Sequence, residues 1–181
     1  MLKLTNCLFR DYSRKCNALP IILAGFIFLF ASVDAGAAGR AALKIGDAPP
    51  QISLPDLTGS IVRLPNDFRG KVVVLHFWAG GCSSCKEEMP AMETLYGKYG
   101  RKGLVILAVN VGQRRNVVNG LVQGLGISYP VLLDTDKTMA KKYDVVGLPR
   151  TYLVDRNGVI RYKILGSASE EMLKKQLLSL L

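Results

Sequence analysis

A chain of 181 residues, 49% hydrophobic and 21% charged, has the composition of one globular domain with a substantial core plus an appendage, which excludes a disordered protein. Its 24 Lys and Arg against 14 Asp and Glu give a formal net charge of +10. No nucleic-acid motif or platform of interleaved aromatic and basic residues accompanies that charge, so no nucleic-acid partner is expected.

The first segment differs in kind from the rest. Lys3, Arg10, Arg14 and Lys15 precede an apolar stretch at residues 19–33, followed by Ala35-Gly36-Ala37-Ala38-Gly39. A positive region, an apolar region and a small-residue tract form an export signal. The apolar stretch falls short of the ~20 residues of a membrane-spanning helix. Residues 1–35 therefore read as a signal peptide or an uncleaved membrane anchor, residues 36–44 as a linker and residues 45–181 as the domain. Either form places the domain in the periplasm or on the extracytoplasmic side of a membrane. No cysteine follows the apolar stretch until Cys82, so a lipoprotein signal is not expected, and Cys7 and Cys16 are separated from the domain. From Gly36 onward the chain keeps 20 Lys and Arg against 12 Asp and Glu, and a weak association with anionic membrane surfaces or an acidic partner is expected.

Residues 45–70 are rich in turns, with Pro49, Pro50, Pro55 and Gly59 around short apolar runs at 52–54 and 61–64. They read as a β-hairpin with Asp56-Leu57-Thr58-Gly59 at its turn. Residues 71–78 are nearly all apolar, as in a strand buried on both faces. Residues 83–99 have helical spacing, with Met89, Met92, Leu95, Tyr96 and Tyr99 on one side and an interruption expected at Pro90. A second buried strand follows at 104–111, a weaker helix at 114–125, a third strand from 129 into Asp134 and a short helix at 137–143. Residues 151–154 and 159–165 flank Asp155-Arg156-Asn157-Gly158, whose Asn-Gly end signals a hairpin. Ser169 can cap a closing helix that carries Glu170 and Glu171 early and Lys174 and Lys175 late, matching the helix dipole. The order ββ, βαβαβ, α, ββ, α makes an α/β domain.

The chemistry concentrates at Phe77-Trp78-Ala79-Gly80-Gly81-Cys82-Ser83-Ser84-Cys85-Lys86. A strand delivers two cysteines, two residues apart, into a helix start. The unpaired N–H groups and partial positive charge there favour a thiolate, lowering a cysteine pKa from about 8.5 to roughly 3.5–7.5. Cys82, at the mouth of the turn, is the attacking sulfur, and Cys85, one turn further in, resolves the mixed disulfide. The same spacing also occurs as half of a zinc site. Here the remaining ligand candidates are Cys7, Cys16 and His76, short of the set a structural site needs.

Phe77-Trp78-Ala79, the Cys82–Cys85 motif, Glu88-Met89-Pro90 and Gly147-Leu148-Pro149 together resemble the thioredoxin superfamily over most of residues 45–181. The leading hairpin, the export signal, the Glu-x-Pro and the extra helix at 114–125 narrow this to a likeness to extracytoplasmic reductases of the TlpA, ResA and cytochrome-c-maturation type. That resemblance implies a thioredoxin-like mixed sheet flanked by helices, with the N-terminal hairpin and the extra helix as additions. It also implies a redox-active Cys82–Cys85 disulfide and a cis Pro149 against it, with the backbone of Leu148 pairing with a substrate strand. Trp78 is then substrate-facing, as is Arg150, which stands where the resemblance expects a small polar residue and selects acidic partners. Glu88 raises the cysteine pKa values or relays a proton to Cys85, unless it is a plain solvated helix residue. His76 stands where many thioredoxins carry a buried aspartate and is a candidate proton relay, or else a satisfied core residue.

The reaction so implied is the reduction of protein disulfides, for example in cytochrome c maturation, with a disulfide-containing protein as substrate and a membrane-bound reductant upstream. No cofactor is implied. A thiol oxidant would use the same residues, and a copper or zinc carrier would use the two cysteines as a clip. A peroxidase of related fold wants threonine three residues before its reactive cysteine, where this chain has Ala79.

Overall fold

The computed structural model describes residues 42–181. Two sheets form. β1 (Ile52–Pro55) and β2 (Ile61–Leu64) make an antiparallel ribbon in the register Ile52 to Leu64. The main sheet contains β3 (Val72–Trp78), β4 (Leu104–Val111), β5 (Val131–Asp134), β6 (Arg150–Val154) and β7 (Ile160–Leu165), in the order β5-β4-β3-β6-β7. β3, β4 and β5 run parallel, while β6 is antiparallel to both β3 and β7. The leading ribbon is tied to the β5 edge by a bridge from Asp56 to Leu132.

β3 is buried at all seven positions, as a central strand covered on both faces must be. Alternation divides its side chains between two cores. Val72, Val74 and Trp78 face α1 (Ser83–Tyr99), α2 (Arg115–Leu125) and α4 (Glu170–Leu178). Val73, Leu75 and Phe77 face α3 (Thr138–Lys142), the leading ribbon and the ring cluster of Phe77, Tyr143 and Tyr152. Met89, Met92 and Leu95 of α1 lie in the first core, each buried side chain of this size contributing about 1.5–3 kcal/mol.

The interruption expected at Pro90 does not divide α1, which continues from Ser83 to Tyr99. Proline removes one donor, yet the buried face on either side of it stays in contact with the sheet, and the Tyr129 hydroxyl donates to the Met89 carbonyl at 3.2 Å. Both hairpin turns use one device. Asp56 and Asp155 each accept two backbone N–H groups on a single carboxylate oxygen, from Thr58 and Ser60 and from Asn157 and Val159. Gly59 and Gly158, at φ +97° and +75°, supply the left-handed residue that closes each turn. Asn157-Gly158 thus ends a three-residue loop and does not form a two-residue one. Ser169 caps α4 by accepting from the Met172 N–H at 3.2 Å.

The stretch at residues 19–33 and the cysteines Cys7 and Cys16 lie outside the described residues. Among the described residues no helix is long and apolar enough to cross a membrane, and no cluster of His, Cys, Asp and Glu could hold a metal ion.

Candidate active site

The end of β3 delivers the two cysteines to the start of α1. Cys82 is the residue before the first helical turn, with extended backbone, and its N–H donates to the Ala79 carbonyl at 3.0 Å. Cys82 and Cys85 are joined as a disulfide, with Cα atoms 5.3 Å apart. Cys82 is half-buried and Cys85 fully buried, so one sulfur faces solvent and the other the first core. The Cys85 N–H points at Cys82 Sγ from 3.2 Å, and the Ser84 hydroxyl lies 3.6 Å from the same sulfur. A negative charge arriving on Cys82 would meet an N–H donor, a hydroxyl and the positive end of a 17-residue helix.

The loop before Cys82 is clamped by residues with no recognisable sequence signature. Gln113 Oε1 accepts from the Gly80 N–H at 2.6 Å and from Asn110 Nδ2 at 2.9 Å. A Cβ on Gly80 would stand 2.6 Å from Leu121 Cδ1 of α2, so that side chain would have to shift, whereas a Cβ on Gly81 would meet open space. The glycine pair thus serves close packing at one position and leaves Cys82 uncovered at the other.

Glu88 lies one turn beyond Cys85 and is buried to 9% exposure, so it is not a solvated helix residue. Its Oε1 accepts from the Ala168 N–H at 2.9 Å, while Oε2 has no partner among the described residues. Burial pushes its carboxyl pKa up, against the opposing pull of the Ala168 N–H and the Ser167 hydroxyl. The same loop holds Pro149, since the Gly166 N–H donates to the Pro149 carbonyl at 3.0 Å. The Leu148–Pro149 bond is cis, as is Leu64–Pro65 in the leading ribbon, and Pro149 is buried while Leu148 is half-buried and touches both cores.

His76 is fully buried, one β3 alternation from Trp78 and on the face that α1 covers. Its Nδ1 lies 3.0 Å from the Thr151 hydroxyl, its cross-strand neighbour, and its Nε2 has no partner among the described residues. Burial lowers its pKa to about 4, so the ring is neutral at ordinary pH.

Two expectations are corrected. Trp78 is fully buried in the first core and offers no face to a substrate. Arg150 has 5% exposure and shares its side of β6 with Tyr152, on the sheet face opposite α1, where Tyr152 is its neighbour. Both follow from strand alternation: adjacency in sequence to the cysteines and to Pro149 places these side chains inside the sheet layers. Cys82, Cys85, Glu88, Leu148 and Pro149 are brought to one end of the sheet. Gln113, Ser167 and Ala168 join them from loops and Asn110 from β4, at positions that sequence patterns leave silent.

A sequence model of the AhpC/TSA family matches residues 45–163. The thiol-disulfide oxidoreductase ResA of Geobacillus kaustophilus is 37% identical over 141 residues, covering 78% of this chain and 80% of that protein. ResA of Bacillus subtilis is 35% identical, covering 75% of each. Among solved structures, a candidate thiol:disulfide interchange protein DsbE from Chlorobium tepidum superposes with a TM-score of 0.72 at 32% identity, over 76% of this chain and 98% of that one. A thiol:disulfide interchange protein from Bacteroides sp. gives 0.67 at 31% identity, over 76% and 90%.

Proposed function

The chain belongs to the AhpC/TSA family, as a thiol–disulfide oxidoreductase of thioredoxin-like fold, and within it we propose an exported reductant of protein disulfides. The observation that carries the reading is the pairing of a half-exposed Cys82 at a helix N-terminus with a buried Cys85 one turn behind it. Export rests on the charged and apolar pattern of residues 1–35, and cytochrome c maturation is the setting the sequence resemblance suggests.

In the reduced protein the Cys82 thiolate attacks one sulfur of a substrate disulfide. That S–S bond breaks, an S–S bond to Cys82 forms, and the departing substrate sulfur takes up a proton. Cys85 then loses its proton and attacks Cys82 Sγ, restoring the Cys82–Cys85 bond and releasing the second substrate thiol. Two electrons and two protons pass to the substrate. A membrane-bound dithiol donor upstream returns the pair to the reduced state. Glu88, whose carboxylate is made a stronger base by burial, accepts the proton that Cys85 loses, with neutral His76 on the neighbouring strand as a second relay. Leu148, beside Pro149, offers its backbone to an extended substrate segment.

Equilibrating the Cys82/Cys85 pair with glutathione or dithiothreitol buffers and alkylating free thiols tests the direction. A potential near about −270 mV, the thioredoxin value, supports a reductant, and one near about −120 mV makes the protein an oxidant instead.

A further inference from the structure

The end of the sheet opposite the dithiol gathers cations that thiol chemistry leaves unused. Arg156, in the β6–β7 turn, donates to the carbonyls of Gly70 and Lys102, both at 3.1 Å, and of Leu181 at 2.8 Å. It thereby draws together the loops that precede β3 and β4, and with them Arg69, Lys71, Arg101 and Lys102. Lys98 and Lys102 both stand 5.6 Å from the Tyr99 ring centroid. All six are exposed, and none pairs with an Asp or Glu side chain among the described residues.

The carboxylates at this end are already engaged. Asp47 accepts the Lys44 N–H and Asp67 the Arg63 N–H, each at 2.7 Å, and Asp155 accepts two backbone N–H groups and pairs with Arg161 at 2.7 Å. A cleft of about 380 Å³ opens among the cations, with Leu64, Phe68 and Val154 on its walls beside Arg69, Lys71, Arg156 and the Asp155 carboxylate that Arg161 pairs. Cationic and apolar lining together suit an amphiphilic anion.

The polypeptide also enters the fold here. The Gly46 N–H donates to the Ile160 carbonyl at 2.8 Å, the Ile160 N–H to the Asp47 carbonyl at 2.9 Å, and Ala48 and Pro49 line the cleft.

We propose that the pole formed by Arg69, Lys71, Lys98, Arg101, Lys102 and Arg156 docks on an anionic bilayer, with phosphate headgroups on the cations and the cleft open to apolar lipid groups. Docked this way, the Cys82 end of the sheet points away from the membrane. The contact is independent of the direction of electron flow.

The test is lysine acylation of the full chain, read residue by residue by mass spectrometry, on vesicles of phosphatidylcholine alone and on equal parts phosphatidylcholine and phosphatidylglycerol. The same full chain is used on both, so differences report the pole. Lys71, Lys98 and Lys102 are expected to label about fivefold more slowly on the anionic vesicles, Lys137, Lys141 and Lys142 to be unchanged, and high salt to abolish the difference. Arg69→Glu with Lys102→Glu should restore labelling of Lys71 and Lys98 while leaving disulfide-exchange rates untouched. Equal labelling on the two vesicles, protection extending to α3, or equal protection by soluble heparin in place of vesicles overturns the proposal.

Discussion

His76 makes stability depend on pH in a way that can be worked out in advance. Its ring has no exposure, and burial lowers its pKa from 6.5 to about 4. Between those values the unfolded chain binds more protons than the folded one, so the contribution is fully present above about pH 6.5 and drains as pH falls toward 4. The linkage expression gives a loss of about 2 kcal/mol between pH 7 and pH 5. Glu88 acts with the opposite sign. Its folded pKa is raised, so the folded state binds more protons and gains relative stability as pH falls. Glu88→Gln removes that opposing slope and is the background in which to measure. Urea unfolding of the oxidised protein, followed through the single tryptophan, Trp78, should then show the midpoint falling by roughly 1 M between pH 7 and pH 5. Adding His76→Asn should abolish most of that fall. An equal fall with and without His76 would refute the assignment of the pH dependence to this ring.

Further outcomes follow from the same geometry. Cys85→Ser leaves the attacking sulfur intact and should accumulate a mixed disulfide with a disulfide-bonded test peptide, visible by mass under non-reducing conditions, whereas Cys82→Ser should form none. Glu88→Ala orphans the Ala168 N–H and should cost about 1–3 kcal/mol in chemical denaturation at neutral pH, while Glu88→Gln, which keeps an acceptor there, should cost clearly less. Gly80→Ala drives a methyl group to 2.6 Å from Leu121 Cδ1 and should lower stability by about 1–3 kcal/mol, with Leu121→Ala in the same chain recovering part of the loss by thermal unfolding.

Much of the fold was legible because its signals are local. The all-apolar run before Cys82 marks the central strand, and Asp-x-x-Gly marks both hairpins, since the aspartate takes the turn's N–H groups and the glycine its left-handed residue. The cysteines were legible for the same reason, two residues apart at a strand-to-helix junction. The burial of Glu88 was not, because it depends on residues 166–169 returning over α1, a contact 80 positions away in sequence. Trp78 and Arg150 were misplaced because nearness in sequence to the cysteines and to Pro149 was given more weight than strand alternation. Gln113 was missed outright, since an amide in a loop becomes a clamp only once β3 and β4 lie side by side.

The link between β7 and α4 carries a consequence for how the chain tolerates changes in length. Gly166 and Ala168, two positions apart, each commit an N–H to a different partner, one to the Pro149 carbonyl and one to Glu88 of α1. One residue inserted between them shifts the second donor relative to the first, so only one of the two attachments survives in place. Insertions and deletions in this family line should therefore avoid residues 166–168 and collect instead where the backbone donates to nothing outside its own loop.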